Sequence, residues 1–96
     1  GLGDVSQALV VTFKREPDGH VFIMYKSIKG DQNHSFDCSM GKYHEGNKVP
    51  GYHNHRGGNQ WFVVNHDKTI YPTFSPDMRL GINNDELILT SHLNKH

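Results

Sequence analysis

Apolar residues in this chain gather in short runs and nowhere recur at the i, i+3, i+4, i+7 spacing of an amphipathic helix over ten or more residues. Strand-sized segments stand in their place: residues 8–13, 21–25, 60–64, 69–74 and 86–90 are rich in Val, Ile, Phe and Tyr, side chains that pack well on a pleated surface. Between them lie Pro17-Asp18-Gly19, Asn65-His66-Asp67-Lys68 and Asn83-Asn84-Asp85, which supply a preset φ, tolerance of the left-handed region and local side-chain bonds. Each predicts a hairpin. The polar, glycine-containing stretches 29–35 and 41–47 predict loops, and no shift in composition marks a domain boundary. The predicted class is all-β.

Ninety-six residues fit one small domain, 1–96, whose core is modest. Ten basic residues cancel ten acidic ones, so the charge that neutralises a phosphate backbone is lacking and nucleic acid is not an expected partner. Cys38 is the only cysteine, which excludes an internal disulfide and a cysteine-based zinc site. No apolar run reaches the roughly 20 residues of a membrane-spanning helix, and the opening Gly1-Leu2-Gly3-Asp4 lacks the regions of a signal peptide.

Internal similarity adds to this picture. Leu2-Gly3 followed by Leu9-Val10-Val11-Thr12 lines up with Leu80-Gly81 followed by Leu87-Ile88-Leu89-Thr90 at one offset, 80 − 2 = 78, or two units of about 39. Phe36-Asp37 takes the place of Leu2-Gly3 and Leu80-Gly81, while His20-Val21-Phe22 takes that of Gln60-Trp61-Phe62 at 60 − 20 = 40. Three related units follow, at about 2–34, 35–79 and 80–96, the last incomplete. Chance similarity between leucine-rich strands is the competing explanation.

Phe36-Asp37, Gly46-Asn47-Lys48-Val49, Tyr52, Gly57-Gly58-Asn59-Gln60-Trp61-Phe62, Thr69-Ile70 and Leu80-Gly81 together resemble one complete repeat of the ricin B-chain-like β-trefoil lectins. His55 ahead of Gly57-Gly58-Asn59-Gln60, with Phe62 two residues after the Gln, is closest to the lectin domain of polypeptide N-acetylgalactosaminyltransferases. The resemblance is good over residues 35–82, partial over 2–34, and a full trefoil needs roughly 25 to 35 residues more. A fragment, a trefoil-like variant, or strand swapping into a homodimer would each account for the shortfall. Ser35 and Asn54 stand where the family places cysteines, Arg79 where it commonly has another, and Pro50 where ricin-type repeats often carry Gln.

The resemblance implies a non-catalytic carbohydrate-binding module for galactose or N-acetylgalactosamine-type sugars, with glycans or glycoproteins as partners and no cofactor. It also implies the secretory pathway, although the family disulfides are missing. A sugar of this kind offers vicinal hydroxyls and one apolar face, and so requires a fixed carboxylate, an amide and an aromatic platform. By resemblance, Asp37 accepts from two adjacent hydroxyls, Asn59 donates and accepts at one of them, Tyr52 lies against the sugar's C–H face and His55 closes the rim. Gln60 and Phe62 are assigned to structure, with Trp61 turned to the opposite face. Gly3 and Gly81 replace the carboxylate in the outer units, so one site is expected.

Other readings compete. Asp37 serves equally well as a turn cap, and Asn59 as a backbone partner in the Gly-Gly loop. His53 and His55 would point the same way on a strand and hold a metal with His44, His66 or Asp37. Cys38 with His44 is a weaker nucleophile-and-base pair, since a lone Cys on a strand usually packs in the core. A trefoil that binds protein and has lost its sugar pocket is the remaining class.

Overall fold

The structure is a computed structural model that describes residues 10–26 and 33–91. It is all-β: β1 (Val11–Arg15), β2 (Val21–Tyr25), β3 (His34–Phe36), β4 (Gly51–His53), β5 (Phe62–Val64), β6 (Ile70–Pro72), β7 (Met78–Asn83) and β8 (Glu86–Ser91), with two single 3-10 turns at Ser39–Gly41 and Gly58–Gln60. Leu2, Gly3, Ala8 and Leu9 lie outside the described residues, as do residues 29–32 of the first predicted loop.

β1 and β2 form an antiparallel hairpin from Val11↔Tyr25 to Arg15↔Val21, closed by the predicted Pro17-Asp18-Gly19 turn with Gly19 at φ 100°. β2 reads Val-Phe-Ile-Met-Tyr without alternation, and Val21, Phe22 and Ile23 are all buried, as in a strand covered on both faces. One edge of β2 serves two neighbours: Met24 and Tyr25 pair with β3, while Val21 pairs with Phe62 of β5. With β4 beyond β3 and β6 beyond β5, this fork makes a curled six-stranded half-barrel. β1 is exposed throughout and carries Lys14 and Arg15, charges that suit an edge strand.

β7 and β8 form the second sheet. Their turn has Asn84 at φ 51° and Asp85 at φ 66°, the pair of left-handed residues that matches the twist of a tight hairpin. Residues 46–49 run along β8 as a further rung, with Gly46 N–H on Leu89 O at 2.8 Å, Leu89 N–H on Asn47 O at 2.9 Å and Val49 N–H on Leu87 O at 3.0 Å. The loop that precedes β4 is thereby fixed to the second hairpin. Val21, Ile23, Cys38, Val49, Phe62, Met78 and Leu89 form the core between them, each large apolar side chain contributing about 1.5–3 kcal/mol by leaving water.

Two readings of the sequence change here. Gln60 and Trp61 precede β5, because the Gly57-Gly58 loop winds into a 3-10 turn with Gln60 N–H on Gly57 O at 2.9 Å and Trp61 N–H on Gly58 O at 3.1 Å. The repeat offsets also do not carry over strand for strand. His20-Val21-Phe22 opens the returning strand of its hairpin, whereas Gln60-Trp61-Phe62 opens the outgoing one. Likewise Val10-Val11-Thr12 leads into an outgoing strand and Leu87–Thr90 lies in a returning one. The arrangement that recurs is different: hairpin β1–β2 is followed by the β3–β4 pair, and hairpin β5–β6 by β7–β8.

Candidate functional site

Asp37 follows β3, and its position is fixed by the backbone on both sides: its N–H donates to Pro50 O at 3.0 Å, and Cys38 N–H donates to Asn59 O at 2.8 Å. The residue is 6% exposed and its carboxylate is held by three donors. Asn59 Nδ2 donates to Oδ1 at 2.7 Å, Gln60 Nε2 donates to Oδ2 at 3.0 Å, and His55 Nε2 lies 3.3 Å from Oδ2.

Gln60 organises the loop around this carboxylate. It is fully buried, and besides donating to Asp37 it donates to His53 O at 2.9 Å. Its Oε1 accepts from the N–H groups of His55 and Arg56, both at 3.1 Å. All four hydrogen-bonding positions of the amide are therefore filled by protein. Gly57 completes the fit: a Cβ there would stand 2.5 Å from the His55 ring, so only glycine leaves that ring its place beside Asp37.

The far side of the loop is equally constrained. Arg56 adopts φ 63°, pairs with Glu16, lies 5.2 Å over the Phe22 ring and accepts at its carbonyl from Trp61 Nε1 at 3.1 Å. Trp61 is stacked between His20 and Phe74, at 4.0 and 5.3 Å between ring centroids. Trp61 is half-buried in this stack.

Over Asp37 lies an open depression of about 340 Å³ lined by Asp37, Ser39, Met40, Pro50, Tyr52, His55 and Asn59. All four residues proposed from the sequence as sugar contacts meet there: Asp37, Tyr52, His55 and Asn59. Tyr52 stands on edge strand β4 with half its surface exposed, and its ring lies 6.0 Å from that of His55. Ser39 and Met40 have no counterpart among the sequence expectations, and Pro50, which stands where the resemblance expects Gln, lies on the wall. Met40 and Gly41 at φ 60° and 67° form a tight turn that projects Met40 to the rim, a feature with no signal in the sequence beyond the glycine.

Counting the remaining hydrogen-bonding capacity shows what the depression offers. Asn59 gives its second N–H to Cys38 O at 3.1 Å, so that only its Oδ1 remains open. This differs from the expectation that Asn59 both donates and accepts. Asp37 has about four acceptor positions, three of them engaged, the longest by His55. The floor is thus made of acceptors and suits a ligand that donates.

Two further positions acquire a role. Asn54 Nδ2 donates to Ser35 Oγ at 3.1 Å, so the residues that stand where the resemblance expects cysteines are in contact. Arg79 is buried and satisfied by Thr69 Oγ1, Pro76 O and Met78 O at 2.7–3.0 Å, with its guanidinium 4.8 Å over Tyr71.

For the metal reading, β4 ends at His53, so strand alternation does not extend to His55. Their rings lie 5.7 Å apart, and among the described residues no group of three or more His, Cys, Asp or Glu side chains is placed to hold a metal ion. Cys38 is fully buried, and burial, followed by the Asp37 charge, pushes its thiol up to about 12, which disfavours the thiolate a nucleophile requires. His44 is exposed, with Nδ1 beside Glu45 O.

No protein-family model, curated protein or solved structure matches this chain. Among the described residues no helix is long and apolar enough to cross a membrane.

Proposed function

We propose that the chain is a β-trefoil-like carbohydrate-binding module whose single site, at Asp37, takes a galactose or N-acetylgalactosamine-type sugar. The observation that carries this reading is the buried Asp37 carboxylate at the floor of an open depression, with the Asn59 oxygen beside it and Tyr52 and His55 at the wall. Vicinal sugar hydroxyls donate to these acceptors, and the exposed Tyr52 ring offers a platform for the sugar's C–H face. The succession of hairpins, with β6 packed against β7 as β2 pairs with β3, supports the trefoil-like reading, as does the Ser35–Asn54 contact. Glycans or glycoproteins are the corresponding partners, and the module has no catalytic role.

One shallow site of this kind binds weakly, on the order of mM, unless sites are repeated along one target. Titration with galactose and N-acetylgalactosamine, followed by backbone amide NMR, is expected to move the signals of Asp37, Tyr52, His55 and Asn59. Asp37→Ala should weaken binding by roughly tenfold or more, the worth of a charge-assisted hydrogen bond. Tyr52→Ala, at an exposed edge position, provides the same loss without disturbing the core. Silence toward both sugars in a folded protein would overturn the proposal and favour a protein-binding trefoil. Zinc-induced shifts at His53 and His55 would favour the metal reading instead.

A further inference from the structure

The Asp37 carboxylate is held by neutral donors alone. Gly57 N–H donates to His55 Nδ1 at 3.2 Å, so the ring proton sits on Nε2, and the imidazole meets Asp37 as an uncharged N–H, as the Asn59 and Gln60 amides do. A second proton on this ring would be directed at the Gly57 N–H. The cations of neighbouring segments are engaged or placed elsewhere: Arg56 pairs with Glu16 on the far side of the loop, Lys48 pairs with Glu86 at 3.3 Å, and Lys42 is exposed and does not line the depression. Among the residues that do line it, Asp37 alone carries a formal charge. The floor of an open recess therefore holds an uncompensated negative charge, in a residue only 6% exposed. Taking a carboxylate out of water without a counterion is costly, and a bound cation offsets that cost.

The acceptors left open suit one kind of cation. The free position on Asp37 and the free Oδ1 of Asn59 belong to side chains already joined at 2.7 Å, so a single group can reach both. A hydroxyl donates once, whereas a primary ammonium donates three times. The Ser39 hydroxyl, on the wall of the same depression, can accept the third N–H.

We infer that the sugar taken here is a hexosamine with a free amino group, galactosamine in the simplest case, whose ammonium sits on Asp37 and Asn59. The inference rests on the sugar-binding reading and narrows it. The ring and its hydroxyls still lie against Tyr52 and His55, while the charge on the amine selects the sugar over galactose and over its neutral N-acetylated form.

NMR titrations with galactose, N-acetylgalactosamine and galactosamine at about pH 7, below the pKa of amines of this kind, compare the same ring with and without the charge. Galactosamine is expected to move the signals of Asp37, Tyr52, His55 and Asn59 and to bind roughly tenfold more tightly than either neutral sugar. Met40→Lys, at an exposed rim position, supplies the missing cation from the protein and should remove that advantage, and added salt should shrink it in the wild type. Equal affinity for charged and neutral sugars, or an advantage that survives both Met40→Lys and salt, would overturn the amine inference while leaving the sugar site standing. Nα-acetyl-lysine methylamide carries the ammonium without the sugar, and binding as tight as that of galactosamine would overturn the sugar as its carrier. Silence toward all three sugars would overturn both readings.

Discussion

The Asn54 side-chain amide donates to the Ser35 hydroxyl at 3.1 Å, tying β3 to the segment that leaves β4. Ser35 is fully buried, and Asn54 also caps the loop by accepting from Arg56 N–H at 3.1 Å. The contact closes the chain between the carboxylate at Asp37 and the loop that carries His55, Asn59 and Gln60.

Replacing both partners by cysteine is expected to give a disulfide that forms on air oxidation, because the side chains already meet. Thiol titration would then find only Cys38 unpaired, and denaturant unfolding should show a gain of about 3 kcal/mol over the reduced form. Three free thiols after oxidation of a folded double variant would show that the backbones lie too far apart for the bond.

Gln60→Ala removes a side chain that answers Asp37, His53 O and two backbone N–H groups at once. Leaving these buried groups without partners should cost about 3 kcal/mol in urea unfolding, and the residual fold should show altered amide shifts from 53 to 60. Gln60→Glu keeps the acceptor side but sets a second carboxylate against Asp37, so it should be the more damaging change at neutral pH.

Cys38 should be unreactive in the native protein. With the thiol pushed up to about 12 by burial and by Asp37, iodoacetamide at pH 8 is expected to leave it unmodified until denaturant is added, after which labelling should be complete. Rapid labelling of the native protein would contradict the burial described above.

Asp67 predicts an acid-sensitive turn. Its Oδ1 accepts from Thr69 Oγ1 at 2.5 Å, Thr69 N–H at 2.9 Å and Asn65 Nδ2 at 3.1 Å, and these bonds lower its carboxyl from 3.8 to about 2. Because the folded value lies below the unfolded one, the contribution is complete above about pH 4 and is lost as pH falls toward 2. Thermal unfolding of wild type and Asp67→Ala should therefore show a gap in Tm that narrows over that interval.

Local chemistry made a good part of the molecule legible in the chain itself. The β2 run, the Pro17-Asp18-Gly19 turn and the Asn83-Asn84-Asp85 turn were readable because strand composition and left-handed tolerance act between neighbouring residues. β3 and β4 were harder: His34-Ser35-Phe36 and Gly51-Tyr52-His53 are short and mixed, and they become strands by pairing with each other and with β2. The grouping of Asp37, Tyr52, His55 and Asn59 was anticipated from a sequence resemblance, whereas their hydrogen-bonding capacity was decided by the fold. Burial committed both Asn59 donors and three of the Asp37 acceptor positions. Ser39 and Met40 entered the site only through tertiary structure, because what a surface side chain borders depends on segments distant in sequence, here the approach of residue 39 to Lys48, whose carbonyl accepts from Ser39 N–H.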